Sequence, residues 1–79
     1  MRTRTEIVKD FEALGYEIDV DDRFELRFKG EGGWIRFNKE LRSYEKEGIY
    51  GYSLRITTQE HILINELLQA MGWINAINN

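Results

Sequence analysis

Seventy-nine residues, 42% of them hydrophobic and 32% charged, suffice for one domain (1–79) with one core, and are too apolar for a disordered linker. The chain has no cysteine and a single histidine, His61, which excludes disulfide scaffolds, thiolate zinc sites and thiol nucleophiles. Its formal charge of −3 conceals a segregation: 3 basic against 7 acidic side chains over residues 1–22, 8 against 5 over 23–55, and 0 against 2 over 56–79.

Met1-Arg2-Thr3-Arg4 leads into a charged amphipathic segment without the apolar core of a signal peptide. No apolar run approaches the about 20 residues that cross a bilayer, so a soluble protein with a cytoplasmic address and no membrane association is expected. Thr3 and Glu6 stand in capping-box spacing, and Ile7, Val8, Phe11 and Leu14 recur at helical intervals before Gly15, a left-handed stop. This spacing predicts a helix over 4–14. From Tyr16 the period changes to two: Tyr16, Ile18 and Val20, then Phe24, Leu26 and Phe28, alternate with charged residues as in half-buried strands.

Residues opposite one another in an antiparallel pair share a face, so apolar matching sets the register. A loop at Asp21-Asp22-Arg23 opposes Val20 to Phe24 and Ile18 to Leu26. A turn centred on Glu31-Gly32 opposes Phe28 to Ile35 and Leu26 to Phe37. A third centred on Glu47-Gly48 opposes Leu41 to Leu54 and brings Tyr50, Tyr52, Leu54 and Ile56 onto the apolar face. Thr57 and Glu60 repeat the capping-box spacing before the stripe Ile64, Leu67, Leu68 and Met71, which is predicted to pack beside Tyr52 and Leu54. Gly72 stops this helix, and Trp73 then folds back to close the core, the alternative being an exposed anchor for a partner. The expected fold class is α+β: an α-β-β-β-β-α two-layer sandwich, an antiparallel meander sheet with both helices on one face.

The run Ile56-Thr57-Thr58-Gln59-Glu60-His61, continuing through Ile64-Asn65 and Leu67-Leu68 to Met71-Gly72-Trp73-Ile74, resembles the C-terminal helix of small uncharacterised proteins encoded by phages and prophages of Gram-positive bacteria. Ile7-Val8-Lys9-Asp10-Phe11-Glu12-Ala13-Leu14-Gly15-Tyr16 has a similar character. The resemblance implies a phage or prophage origin and a bacterial cytoplasm, and it transfers no catalytic residue. By analogy with small acidic phage proteins, some of them inhibitors of CRISPR nucleases, it implies action by binding a host or defence protein.

Asp19, Asp21 and Asp22 with Glu17 suggest a cation loop, but an EF-hand would not accommodate Arg23, Phe24 and Gly30 at its third ligand, its glycine and its closing acid. Gly30, Gly32 and Gly33 lack the Gly-Lys-Ser/Thr of a phosphate cradle and open a strand instead of a helix. His61 adjoins Glu60 in sequence, yet adjacent helical residues point apart and Glu60 is accounted for by the cap. Paired carboxylates for glycoside chemistry would need a cleft for which so short a chain leaves little room. No enzyme activity, metal or cofactor is expected.

Two surfaces stand out. The acidic residues Glu17, Asp19, Asp21 and Asp22 suit a basic site on a partner, with Trp34 and Tyr44 as anchoring area. The sheet face away from the helices is expected to carry Arg23, Arg27, Lys29, Arg36, Arg42 and Arg55, opposed by Glu25 and Glu40 and accompanied by Trp34 and Tyr44. Arg27 would lie opposite Arg36, an unfavourable pair unless an anion comes between. The function expected is therefore stoichiometric binding of a host or defence protein by a monomer or homodimer. The alternative is a single-stranded nucleic-acid-binding module that uses the basic and aromatic face for phosphates and bases.

Overall fold

The computed structural model of the chain describes residues 2–74. Helix α1 (Arg4–Ala13) precedes strands β1 (Glu17–Asp21), β2 (Glu25–Gly30), β3 (Gly33–Asn38) and β4 (Ser43–Gly48), and helix α2 (Thr58–Ala70) follows. The strands form one antiparallel sheet in the order β1-β2-β3-β4. This is the expected α+β meander.

Both helices start and stop as their local sequences dictate. Thr3 and Glu6 form a reciprocal capping box at α1, and Thr57 and Glu60 form the same box at α2. Each helix ends on a glycine with positive φ, Gly15 at 96° and Gly72 at 76°. The next residue's N–H turns back to the last helical turn, Tyr16 to the Phe11 carbonyl at 3.0 Å and Trp73 to the Leu68 carbonyl at 2.9 Å. The chain reversal lays both aromatics on the core: Tyr16 meets Phe11 edge to face, and Trp73 lies 6.3 Å from the Phe37 ring. Trp73 thus closes the core, as the helix-ending pattern predicts.

Ile7 and Phe11 of α1 and Leu63, Ile64 and Leu67 of α2 are buried against Leu26, Phe28, Ile35 and Phe37 from one sheet face. Phe11 stacks on Phe28 at 4.3 Å between centroids, so α1 is fastened at mid-sheet. The β2–β3 register is the expected one, with Phe28 opposite Ile35 and Leu26 opposite Phe37.

Two expected registers are corrected, for one physical reason. Asp22 Oδ1 accepts from the Phe24 and Glu25 N–H groups, both at 2.8 Å, which moves the β1–β2 turn to Asp22-Arg23-Phe24. Ile18 therefore opposes Phe28 instead of Leu26, and a bulge between Ile18 and Val20 sets Val20 opposite Arg27. Phe24 becomes a turn residue, 60% exposed. Likewise Asn38 Oδ1 accepts from the Glu40 and Leu41 N–H groups at 3.0 and 2.9 Å, ending β3 early. The fourth strand is consequently Ser43–Gly48, and the alternating run 49–56 lies outside it except for a bridge from Ser53 to Glu47. Leu41, Tyr50, Tyr52 and Leu54, expected on the core face, are exposed.

Candidate functional site

Placing β4 at Ser43–Gly48 decides which of its side chains face the helices. Pairing with β3 sets Tyr44 opposite Phe37 and Lys46 opposite Ile35, so both share the core face. Lys46 reaches Glu60 in the first turn of α2: its Nζ donates to Oε1 at 2.8 Å and Oε2 at 3.0 Å. Tyr16 Oη donates to Oε2, and the Thr57 backbone N–H donates to Oε1 at 2.9 Å. Only 5% of Glu60 is exposed, yet both its oxygens are engaged.

Burial alone would push the Glu60 carboxyl up, but the hydrogen bonds from Lys46, Tyr16 and Thr57 outweigh it and hold the group below the usual carboxylate range. The Tyr16 phenol moves the other way, raised by burial and then by donating to an anion. A phenol so raised is no base at neutral pH, and the carboxylate's lone pairs are already taken. The cluster borders a recess of about 320 Å³ beside the turn Gly30–Gly33. It offers an incoming molecule no free nucleophile. Its chemistry is structural: it ties the start of β1, the middle of β4 and the first turn of α2 to one anion.

The opposite sheet face differs from the expected basic surface. Its cations are Arg27, Lys29 and Arg36, 3 in number, whereas Glu17, Glu25, Glu45, Glu47 and the bulge residue Asp19 supply 5 acids. Arg27 does lie opposite Arg36. The anion between them belongs to the chain: Glu25 accepts from Arg36 Nε at 2.8 Å and lies 3.8 Å from Arg27. Asp19 holds Arg27 at 2.9 Å, and Glu47 accepts from Arg36 at 3.2 Å. Donation to Glu25 first, then, against the opposing effect of burial, to Glu47, stabilises the Arg36 guanidinium in its charged form.

The other expected residues disperse. Arg23 sits in the β1–β2 turn over the Phe24 ring, 5.3 Å from its centroid. Glu40 and Arg42 occupy the β3–β4 turn, and Arg55 lies exposed beyond the sheet. Trp34 is on the outer face, half-buried between Lys29 and Glu47, whereas Tyr44 points to the core face and packs on Phe37. Asp21 is held by Arg4 at 2.6 Å and Lys39 at 3.1 Å, and Asp22 caps the turn backbone. Of the four acids proposed as a partner surface, all exposed, Glu17 alone shows no such bond among the described residues. His61 is exposed in a shallow recess with Ile56, Ile62 and Asn65, away from the Glu60 carboxylate.

Lys46, Glu45 and Glu47 were not singled out by the sequence pattern. The alternation Tyr44-Glu45-Lys46-Glu47-Gly48 is a strand signal that the stronger apolar alternation over 50–56 overrides. What the structure leaves most exposed among its large apolar side chains are Tyr50 at 82%, Leu41 at 74%, Tyr52 at 72% and Phe24 at 60%, all in turns or beyond the strands. Among the described residues no group of three or more His, Asp or Glu is disposed to hold a metal ion, and no helix is long and apolar enough to cross a membrane. Comparison with protein-family models, curated proteins and solved structures gives no significant match.

Proposed function

We propose that the chain is a non-enzymatic accessory protein of phage or prophage type that works stoichiometrically, binding a host or defence protein in the bacterial cytoplasm. The observation that carries this reading is the placement of large apolar side chains on backbone-fixed turns. The 48–52 turn is closed by Gly48 N–H to the Tyr52 carbonyl at 2.7 Å and Gly51 N–H to the Gly48 carbonyl at 2.9 Å, and it exposes Tyr50 and Tyr52. Tyrosines on a fixed turn bury large area with little loss of conformational freedom, which is what an interface anchor requires. The buried polar cluster supports the same reading, since its groups are consumed by one another.

The nucleic-acid alternative draws no support from the outer face. Phosphate neutralisation needs unpaired cations in excess, and there Arg27 and Arg36 are paired on a face with more acids than bases. The test is capture from Gram-positive lysate by the tagged chain beside the Tyr50→Ser/Tyr52→Ser variant. A saturable one-to-one partner retained by the first and lost by the equally folded second is the expected result. Absence of any saturable partner across several hosts overturns the proposal.

A further inference from the structure

The outer sheet face is not flat. It carries a recess of about 540 Å³ at the end where the β1–β2 and β3–β4 turns rise beyond the strands. Phe24 from one turn and Leu41 from the other form its apolar walls, Arg36 and Asn38 lie along its floor, and Glu25 and Glu45 supply its acids. Each turn is fixed by its own side chain, Asp22 or Asn38, and the Lys39 N–H, donating to the Phe24 carbonyl at 2.9 Å, ties the two turns together. Both apolar side chains stay exposed on these fixed turns, Phe24 at 60% and Leu41 at 74%.

Charge decides what such a recess accepts. Arg36 is satisfied by Glu25 and Glu47, at 2.8 and 3.2 Å. Glu45 stays 65% exposed and approaches Arg36 only to 3.8 Å, so its carboxylate keeps most of its acceptor capacity. Of the charged residues lining the recess, Glu25 and Glu45 stand against Arg36, and the turns that bear its walls add Arg23, Glu40 and Arg42. An anion entering here would meet Glu45 and find Arg36 occupied, whereas a cation would find the Glu45 carboxylate as a partner.

Resting on the protein-binding function proposed above, we infer that this recess is the contact site for a basic segment of the partner protein, with a Lys or Arg side chain on Glu45 and an adjacent apolar side chain between Phe24 and Leu41. The apolar walls supply contact area and the acids supply selectivity and encounter rate. Such a site rejects nucleic acid and acidic peptides by the same field that admits a basic one.

The test uses the full chain and three probes: a peptide of alternating Arg, Leu and Lys, its counterpart with Glu replacing every basic residue, and a thymidine oligonucleotide. Amide chemical shifts at low salt are expected to move around Phe24, Ser43 and Glu45 with the basic peptide alone, and the affinity is expected to fall as salt rises. Glu45→Lys should weaken that binding at least tenfold, and Leu41→Ser should weaken it in the same titration. Equal binding of the acidic peptide or the oligonucleotide, or shifts confined to the 48–52 turn, overturns the assignment. Lysate capture separates the two levels: a partner retained in full by Glu45→Lys and Leu41→Ser leaves the protein-binding function standing and removes this site, whereas loss of all capture by the unaltered chain removes the function itself.

Discussion

Lys46 Nζ lies 2.8 Å and 3.0 Å from the two carboxylate oxygens of Glu60, joining a strand at the sheet edge to the first turn of the last helix. The pair is almost dry on both sides, with 14% and 7% of the two side chains exposed. Taking two charges out of water is costly, so removing one partner alone is worse than never having had the pair. Lys46→Met is expected to cost about 3–5 kcal/mol, a large share of the about 4–12 kcal/mol available to a chain of this length. Adding Glu60→Gln should recover part of that loss. By contrast Arg36→Met, in the outer-face network, should change stability by less than about 1 kcal/mol, because solvent screens that network. Urea denaturation of the three variants checks the order.

The same carboxylate sets the acid limit of the fold. Glu60 is held below its ordinary value of 4.5, as Asp21 beside Arg4 and Asp22 beneath the turn N–H groups are held below 3.8. A lowered carboxyl in the folded state contributes stability that is present above its unfolded value and is lost as pH falls through the folded one. The urea midpoint should therefore be flat near neutrality and decline below about pH 4.5. Tyr16 acts at the opposite end: raised above 10.0, it contributes stability that is present below that value and is lost as pH climbs past it. In Tyr16→Phe the alkaline decline should shrink, while the stability at neutral pH drops by about 1–3 kcal/mol for the donor lost to a buried carboxylate. An unchanged alkaline limb in that variant would disprove the assignment.

Gly30 protects this arrangement by having no side chain. A Cβ there would stand 2.8 Å from Tyr16 Cε1. The ring cannot yield freely, because its hydroxyl is fixed on Glu60 and its backbone N–H on the helix end. Gly30→Ala is expected to cost about 1–3 kcal/mol by overpacking and to shift the Tyr16 ring resonances, whereas Gly32→Ala, with nothing within 4 Å, should leave both unaltered.

The parts of this fold that could be read from sequence are those decided within a few residues. The boxes Thr3/Glu6 and Thr57/Glu60 and the stops Gly15 and Gly72 depend on local spacing, and each helix begins and ends where that spacing puts it. The β2–β3 register was equally legible, because two apolar alternations flank one glycine turn. Apolar matching failed at the other two hairpins because it weighs strand faces and ignores what turn side chains hold. One oxygen of Asp22 and one of Asn38 each fix two N–H groups and outweigh the burial offered by Phe24 and Leu41. The outer face inherited the error: Arg23, Arg42 and Arg55 fall in turns or beyond the sheet while Glu45 and Glu47 join it, so that acids outnumber bases there. Glu60 was read as a cap and nothing more, since its second role needs Lys46 on a strand whose limits Asn38 sets.

That competition can be tested at the turn itself. Asn38→Ala removes the acceptor for the Glu40 and Leu41 N–H groups and should cost about 0.5–1.5 kcal/mol. It also frees the β3–β4 turn to migrate toward the register in which Leu41 opposes Leu54. Cross-strand amide contacts between Asn38 and Ser43 should therefore weaken in the variant at residue 38, while those between Phe28 and Ile35 persist.

Two leucines separate the core from the surface that the partner is proposed to use. Leu67 is fully buried on α2 against the sheet, and Leu41, which apolar alternation alone would also bury, stands 74% exposed on the rim of the outer recess. Leu67→Ala removes methyl groups from a filled site and leaves a cavity, which costs about 2–5 kcal/mol. Leu41→Ala exposes no new surface and should alter stability by no more than about 0.5 kcal/mol. If both variants are equally destabilised in thermal melts, Leu41 belongs to the core and does not wall a binding recess. If Leu41→Ala melts as the unaltered chain does and loses affinity for the basic peptide, its exposure is retained for binding, because folding gains nothing from it.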